Sequence, residues 1–60
     1  MYTEQQRALG IVQGLYGRSG FTHDFTDHRR VGCLVNGKRV MCWADTWDEA
    51  IEALKVKVGR

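Results

Sequence analysis

Six side chains in the middle of the chain are of types that do chemistry in proteins. They are His23, Asp24, Asp27, His28, Cys33 and Cys42. Histidines and carboxylates act as general acids and bases, and the first four lie close together in sequence. No glycine-rich phosphate loop, nucleophile elbow or pair of glutamates on one helix face accompanies them, and 60 residues leave little room for a substrate pocket of about 300 Å³ or more. We therefore expect a solvated polar loop, no enzyme and no small-molecule substrate.

Histidine and cysteine are also the ligand types that bind zinc. Structural zinc sites use pairs of ligands separated by about two to four residues. The spacings of the two histidines and two cysteines in this chain do not match that pattern. The sequence therefore predicts no metal site and no cofactor.

The stretch "RRVGCLVNGKRVMCW", residues 29–43, predicts a β-hairpin. Asn36-Gly37 is typical of a two-residue type I′ turn, because both central residues of this turn have positive φ. A loop of this length fixes the register of the two strands. The predicted pairs are Val35 with Lys38, Leu34 with Arg39, Cys33 with Val40, Gly32 with Met41, Val31 with Cys42 and Arg30 with Trp43.

This register assigns the side chains to two faces, because they alternate along a strand. Cys33 and Cys42 share one face as diagonal neighbours, about 7–8 Å apart between Cα atoms. Disulfides rarely exceed about 6.8 Å, so we expect two small buried hydrophobic residues instead of a disulfide. Their face, predicted to be the core, holds Val31, Cys33, Val35, Val40, Cys42 and Ala44, and the other holds Arg30, Gly32, Leu34, Arg39, Met41 and Trp43.

The segment "TEQQRALGIVQGLYG" predicts an amphipathic helix. Thr3 and Gln6 form a capping box at its start, and Gly17 is a stop signal. Gly10 and Gly14 lie inside it, where each costs about 0.8–1.0 kcal/mol relative to alanine. We expect them to allow close packing on the sheet rather than to form a groove for another backbone. The apolar stripe consists of Ala8, Leu9, Ile11, Val12, Leu15 and Tyr16.

The segment "DTWDEAIEALKVKV" predicts a second helix. Thr46 and Glu49 form its capping box, and acidic residues in the first turn suit the positive end of the helix dipole. Its apolar face consists of Trp47, Ala50, Ile51, Leu54 and Val58.

Residues 21–25 alternate between apolar and polar side chains, which fits either a short third strand or a structured loop. Both helices need a sheet face on which to bury their apolar residues. The sequence therefore predicts one α+β domain over residues 1–60. We expect a two-layer sandwich of an N-terminal helix, an antiparallel hairpin or three-stranded sheet, and a C-terminal helix.

Charge is segregated along the chain although the net charge is only +2. Residues 28–44 carry four cations and no acid, and residues 45–52 carry four acids and no base. No apolar run approaches the roughly 18–20 residues that cross a bilayer, and the N-terminal residues lack the features of a signal peptide. We therefore expect a cytoplasmic protein without a membrane partner.

Two families resemble parts of this pattern. The order of helix, strands and helix resembles in outline the double-stranded-RNA-binding domain. That family has a basic start to its second helix, whereas this chain has "TWDEA" there, and its carboxylates would repel phosphates. The ending "CWADTWDEAIEAL" is similar to the tail of HicB-type antitoxins. Neither resemblance implies a role for a particular residue.

The second face of the hairpin has no structural role if both helices pack on the first. It stays exposed unless the first helix or residues 21–25 cover it. An apolar patch rimmed by arginine marks an interaction site, and Trp, Met and Arg are enriched at interfaces. We predict a small non-enzymatic binding protein of regulator or inhibitor type, such as viruses or mobile elements encode, that contacts a protein partner or forms a homodimer. Its partner-binding residues are Arg30, Leu34, Arg39, Met41 and Trp43.

The alternative is a nucleic-acid-binding module. In this case the basic hairpin contacts bases or phosphates and Trp43 stacks on a base. The adjacent acidic run over residues 45–52 disfavours this alternative. Its binding residues are Arg29, Arg30, Lys38 and Arg39.

Overall fold

The computed structural model describes residues 3–59, which form two helices and one sheet. Helix α1 spans Glu4–Tyr16, strand β1 Phe21–Asp24, strand β2 Arg29–Val35, strand β3 Lys38–Ala44 and helix α2 Trp47–Val58. The strands are antiparallel and lie in the order β1-β2-β3. This arrangement confirms the predicted α+β fold. It also answers the open question about residues 21–25, because most of them form a third strand.

The hairpin of β2 and β3 has the predicted turn and register. Asn36 and Gly37 have φ values of 53° and 79°, the positive values that a type I′ turn requires. Val35 pairs with Lys38 beside the turn, and every other predicted pair is present. The local turn signal was therefore sufficient to fix which side chains of β2 and β3 share a face.

Strand β1 extends the sheet on the other side of β2. Phe21 is opposite Gly32 in this second register. The loop from β1 to β2 is closed by the backbone N–H of Phe25, which donates to the carbonyl of His28 at 3.0 Å. β2 is thus the central strand, and β1 and β3 are the two edges.

Both helices pack on the predicted core face. The hydroxyls of Thr3 and Thr46 cap them by accepting the amide N–H of the residue three positions later, as predicted. Gly17 ends α1 with a φ of 85°. Side chains from both helices and from β2 form one cluster. The buried residues of this cluster are Ala8, Val12, Val31, Cys33, Trp47, Ala50, Ile51 and Leu54.

The buried stripe of α1 is narrower than predicted. Ala8 and Val12 are fully buried, whereas Ile11 and Leu15 are exposed. α2 packs on β3 and β2, whereas α1 packs on β1, on β2 and against α2 itself. Successive residues of a helix are rotated by about 100° around its axis, so Ile11 is rotated by roughly 60° from Ala8 and roughly 100° from Val12, and its side chain points away from the sheet.

The prediction that Gly10 and Gly14 allow close packing of α1 on the sheet is wrong. Both glycines are exposed. A Cβ atom added at Gly14 would have no other atom within 4 Å. The glycine at position 14 therefore weakens the helix without making room for a neighbour.

Replacing Gly14 with alanine is expected to raise the free energy of unfolding by about 0.8–1.0 kcal/mol, the difference in helix propensity. Urea denaturation followed by circular dichroism measures it. Gly17→Ala is the matched control, because its φ of 85° strains an L-residue and the same substitution should lower stability. A loss of stability in Gly14→Ala would contradict the open surroundings of this residue.

The two cysteines differ in burial, and neither forms a disulfide. Cys33 belongs to the core, as predicted, and Cys42 is half-buried. Burial, with a smaller contribution from the charge of Cys42, raises the pKa of the Cys33 thiol. Cys33 is therefore a protonated, apolar side chain at neutral pH.

Candidate binding face

Neither helix covers the sheet surface opposite the core, and we call this surface the open face. It is formed by alternate residues of all three strands, because the other alternate residues point to the helices. The open face consists of Phe21, His23, Arg30, Gly32, Leu34, Arg39, Met41 and Trp43. All five residues of the predicted protein-binding site therefore lie together on one surface.

Two large apolar side chains of β2 and β3 are exposed on this face. Trp43 is 63% exposed and Leu34 is 50% exposed, and half-buried Met41 lies between them in sequence. The register places Trp43 opposite Arg30 and Leu34 opposite Arg39. Trp43 and Leu34 thus each have an arginine opposite them, whereas Met41 is opposite Gly32, so positive charge flanks the apolar patch.

The β1 side of the open face is filled by aromatic rings. Phe21 lies over Gly32 in the space that a Cβ atom at position 32 would occupy. The ring of His23 is 5.7 Å from that of Phe21 and 5.8 Å from that of Phe25. Phe25 is in turn stacked on His28, with 4.6 Å between ring centroids. Residues 21–25 therefore cover part of the β1 and β2 surface and leave the β3 side open.

Arg30 lies between the aromatic rings on the β1 side of the open face and the exposed side chains on its β3 side. Its guanidinium carbon lies 4.8 Å from the ring centroid of Phe25, a cation–π distance. Its Nε is buried and has no hydrogen-bond partner in the described part of the chain. Beside it, the open face has a depression of about 330 Å³ lined by Phe21, His23, Arg30, Arg39 and Met41.

The structure separates the four cations on which the nucleic-acid alternative depends. Arg30 and Arg39 point to the open face. Arg29 and Lys38 occupy the alternate positions on the helix side, and Lys38 is exposed beside the turn. Consecutive residues of a strand always point to opposite faces, so the Arg29-Arg30 pair in the sequence could not form one basic patch.

Arg29 is held on the helix side by several contacts. Its Nε lies 3.1 Å from a carboxylate oxygen of Asp24. Its Nη1 donates to the carbonyls of Phe25 and His28 at 3.0 and 3.3 Å, and its guanidinium lies 5.9 Å from the ring centroid of Trp47. Arg29 thus ties the β1–β2 loop to the start of α2.

The open face has no carboxylate at any of its strand positions. In the loop beside it, Nδ1 of His28 lies 2.6 Å from a carboxylate oxygen of Asp27. This hydrogen bond holds the pKa of Asp27 below its usual range. Three of the four acids of residues 45–52, namely Asp48, Glu49 and Glu52, belong to α2, which lies on the other side of the sheet, so their charge is directed away from the open face.

The contribution of β1 to this face was not predicted from the sequence. Phe21 and His23 reach it only because β1 pairs with β2, and no turn motif in the sequence fixes the register of that pair. The alternation of aromatic and polar residues in "FTHDF" was the available signal. It fitted a strand or a structured loop and could not indicate which surface the rings would cover.

The described residues hold no cluster of metal ligands and no membrane-spanning helix. No three side chains of the metal-binding types come together between residues 3 and 59. Neither α1 nor α2 has the length and apolar character that crossing a membrane needs.

No protein-family model, curated protein or solved structure matches the chain. A function can therefore be proposed only from the open face and its surroundings.

Proposed function

We propose that this chain is a non-enzymatic binding protein that contacts another protein through its open face. One observation carries the proposal: Trp43 and Leu34 remain 63% and 50% exposed on a sheet surface that neither helix covers. Burying such side chains at an interface is favourable, at about 25 cal/mol per Å² of apolar surface. Trp43, Met41 and Leu34 would be the apolar anchors, and Arg30 and Arg39 would meet carboxylates on the partner.

The size of the face supports this proposal. A standard interface buries about 800 Å² of each partner. The molecule measures 32 × 22 × 16 Å, so one complete face is of that size. A chain this small would act on its partner by occupying the partner's surface, as regulators and inhibitors do.

A cytoplasmic location fits the cysteines. Cys42 is half-buried and unpaired, and thiols stay reduced in the cytosol. We propose this compartment for the protein.

Nucleic acid is the second candidate, favoured by the absence of carboxylates from the strand positions of the open face. Only Arg30 and Arg39 of the four predicted cations point there. Two phosphate contacts would give a log–log salt slope of only about −2. Phosphate contacts would involve only these two arginines and would leave most of the exposed apolar surface of Trp43 and Leu34 without a role. The geometry therefore favours a protein partner.

Replacing Trp43 with alanine is expected to weaken partner binding by about 30-fold or more, the effect of losing an interface hot spot. Because the indole is mostly exposed, the unfolding midpoint should change little. The immobilised chain is first used to isolate a partner from nuclease-treated lysate. Titration calorimetry with the purified partner then compares the wild type with Trp43→Ala.

Val56→Ala is the matched control for this experiment. Val56 is 81% exposed but belongs to α2, on the opposite layer, so its replacement should leave binding unchanged. Equal affinity of wild type and Trp43→Ala would overturn the proposal. Capture that disappears on nuclease treatment would assign the face to nucleic acid instead.

A further inference from the structure

Within residues 3–59, no strand pairs with the outer edge of β3. In a two-residue hairpin the residues beside the turn exchange backbone hydrogen bonds, and this pairing then recurs at every second residue. Lys38, Val40, Cys42 and Ala44 therefore bond to β2. The amides and carbonyls of Arg39, Met41 and Trp43 point outward.

Most of these outward groups are unsatisfied by other described residues. The exception is the carbonyl of Met41, which accepts a hydrogen bond from Nζ of Lys57 at 3.2 Å. α2 leaves a depression of about 220 Å³ along this edge, lined by Met41, Cys42, Trp43, Ala53 and Lys57. The edge is thus accessible to another extended strand.

We propose that β3 pairs antiparallel with β3 of a second copy of this chain, with the two Met41 residues facing each other across a two-fold axis. The two three-stranded sheets would then form one sheet of six strands. Each outward amide of Arg39, Met41 and Trp43 would meet a carbonyl of the other copy. The inference rests on the proposed function in one respect, since exposed Trp43 is a contact residue both in this dimer and in the proposed complex with a partner protein.

The side chains of β3 are complementary to themselves in this register. Arg39 of one copy faces Trp43 of the other, and the same pair recurs on the other side of the axis. Both side chains lie on the open face, so each guanidinium can lie over the indole of the other copy. On the helix side Val40 faces Cys42. Lys38 faces Ala44, so no two like charges are opposite each other.

Lys57 limits the strength of this dimer. Its amine donates to the carbonyl of Met41 and lies at the edge where Met41 of the second copy would donate to the same carbonyl. Lysines near sheet edges commonly weaken edge pairing in this way. Lys57→Ala should therefore tighten the dimer.

Sedimentation equilibrium of the purified chain over a wide concentration range tests the proposal. The wild type is expected to show a reversible monomer–dimer equilibrium. Trp43→Arg places arginine opposite Arg39 twice and should weaken the dimer by about 10-fold or more. The double variant Arg39→Trp/Trp43→Arg restores the cross-strand pairs with their positions exchanged, and it should recover the affinity.

Met41→Pro provides a second test that spares the hairpin. The N–H of Met41 points outward, so proline removes no hydrogen bond between β2 and β3 but obstructs the edge. Loss of the dimer in this variant supports the proposal. If Met41→Pro does not fold, the dimer affinity of the double variant Arg39→Trp/Trp43→Arg still tests the pairing.

Several outcomes would overturn the pairing. They are a wild type that stays monomeric at every concentration, a double variant that remains as weak as Trp43→Arg, and a Met41→Pro dimer of wild-type affinity. A monomeric chain whose β3 amides gain protection from exchange only with a purified partner would assign the edge to a foreign strand. The proposed function is tested separately, because partner binding is measured with Trp43→Ala and the dimer with purified chain alone.

Discussion

Replacing Leu54 with alanine is expected to remove most of the free energy of unfolding of this chain. Leu54 is fully buried between the helices and the sheet, and Leu→Ala substitutions at such positions cost about 2–5 kcal/mol. A core of this size supplies only about 3–5 kcal/mol of net stability. Far-ultraviolet circular dichroism during thermal denaturation measures the effect as a lost or strongly lowered transition.

Val56→Ala in the same helix is the matched control. Its side chain is 81% exposed, so the substitution should change the free energy of unfolding by no more than about 0.5 kcal/mol. Equal effects of the two substitutions would contradict the orientation of α2. The comparison therefore tests the helix face as well as the core.

Replacing Gly32 with alanine is expected to lower stability by about 1–3 kcal/mol, the typical cost of an overpacked site. An added Cβ would collide with Cζ of Phe21 and would lie 2.7 Å from the carbonyl oxygen of Val40. The ring of Phe21 could rotate away, but the carbonyl belongs to the backbone of the neighbouring strand and cannot yield without disturbing the sheet. Urea denaturation measures the change.

Two further variants separate the contacts at Gly32. Leu34→Ala, two residues along on the same face, should have little effect because Leu34 is half exposed. In a Phe21→Ala background, Gly32→Ala should still lower stability, but by less than in the wild type, since only the contact with the carbonyl of Val40 remains. Wild-type stability of Gly32→Ala would show that β2 and β3 tolerate a side chain at this position.

The parts of this fold that were predictable are those specified locally. Asn36-Gly37 determines a turn, the turn determines the register, and the register determines which side chains of β2 and β3 share a face. Thr46 and Glu49 likewise define the start of α2 without any distant contact. The five predicted partner-binding residues depend only on this register, and they are found together.

The features that were missed depend on contacts between distant segments. Gly14 was expected to pack on the sheet, but how α1 is rotated depends on the area left by α2. Arg29 was grouped with Arg30, although its side chain reaches Asp24 and Trp47 on the helix side. Phe21 completes the open face only through the pairing of β1 with β2. For none of these residues do the adjacent residues in the sequence indicate which distant segment the side chain contacts.

The two tryptophans, four positions apart, lie in opposite environments. Trp47 is 7% exposed in the core and Trp43 is 63% exposed on the open face. Their fluorescence therefore reports two different events in one molecule. The emission of Trp47 changes when the core unfolds. The quenching of Trp43 by a soluble quencher decreases when another protein covers the open face. Trp43→Phe and Trp47→Phe isolate these signals, so folding and association can be observed separately without attaching a dye.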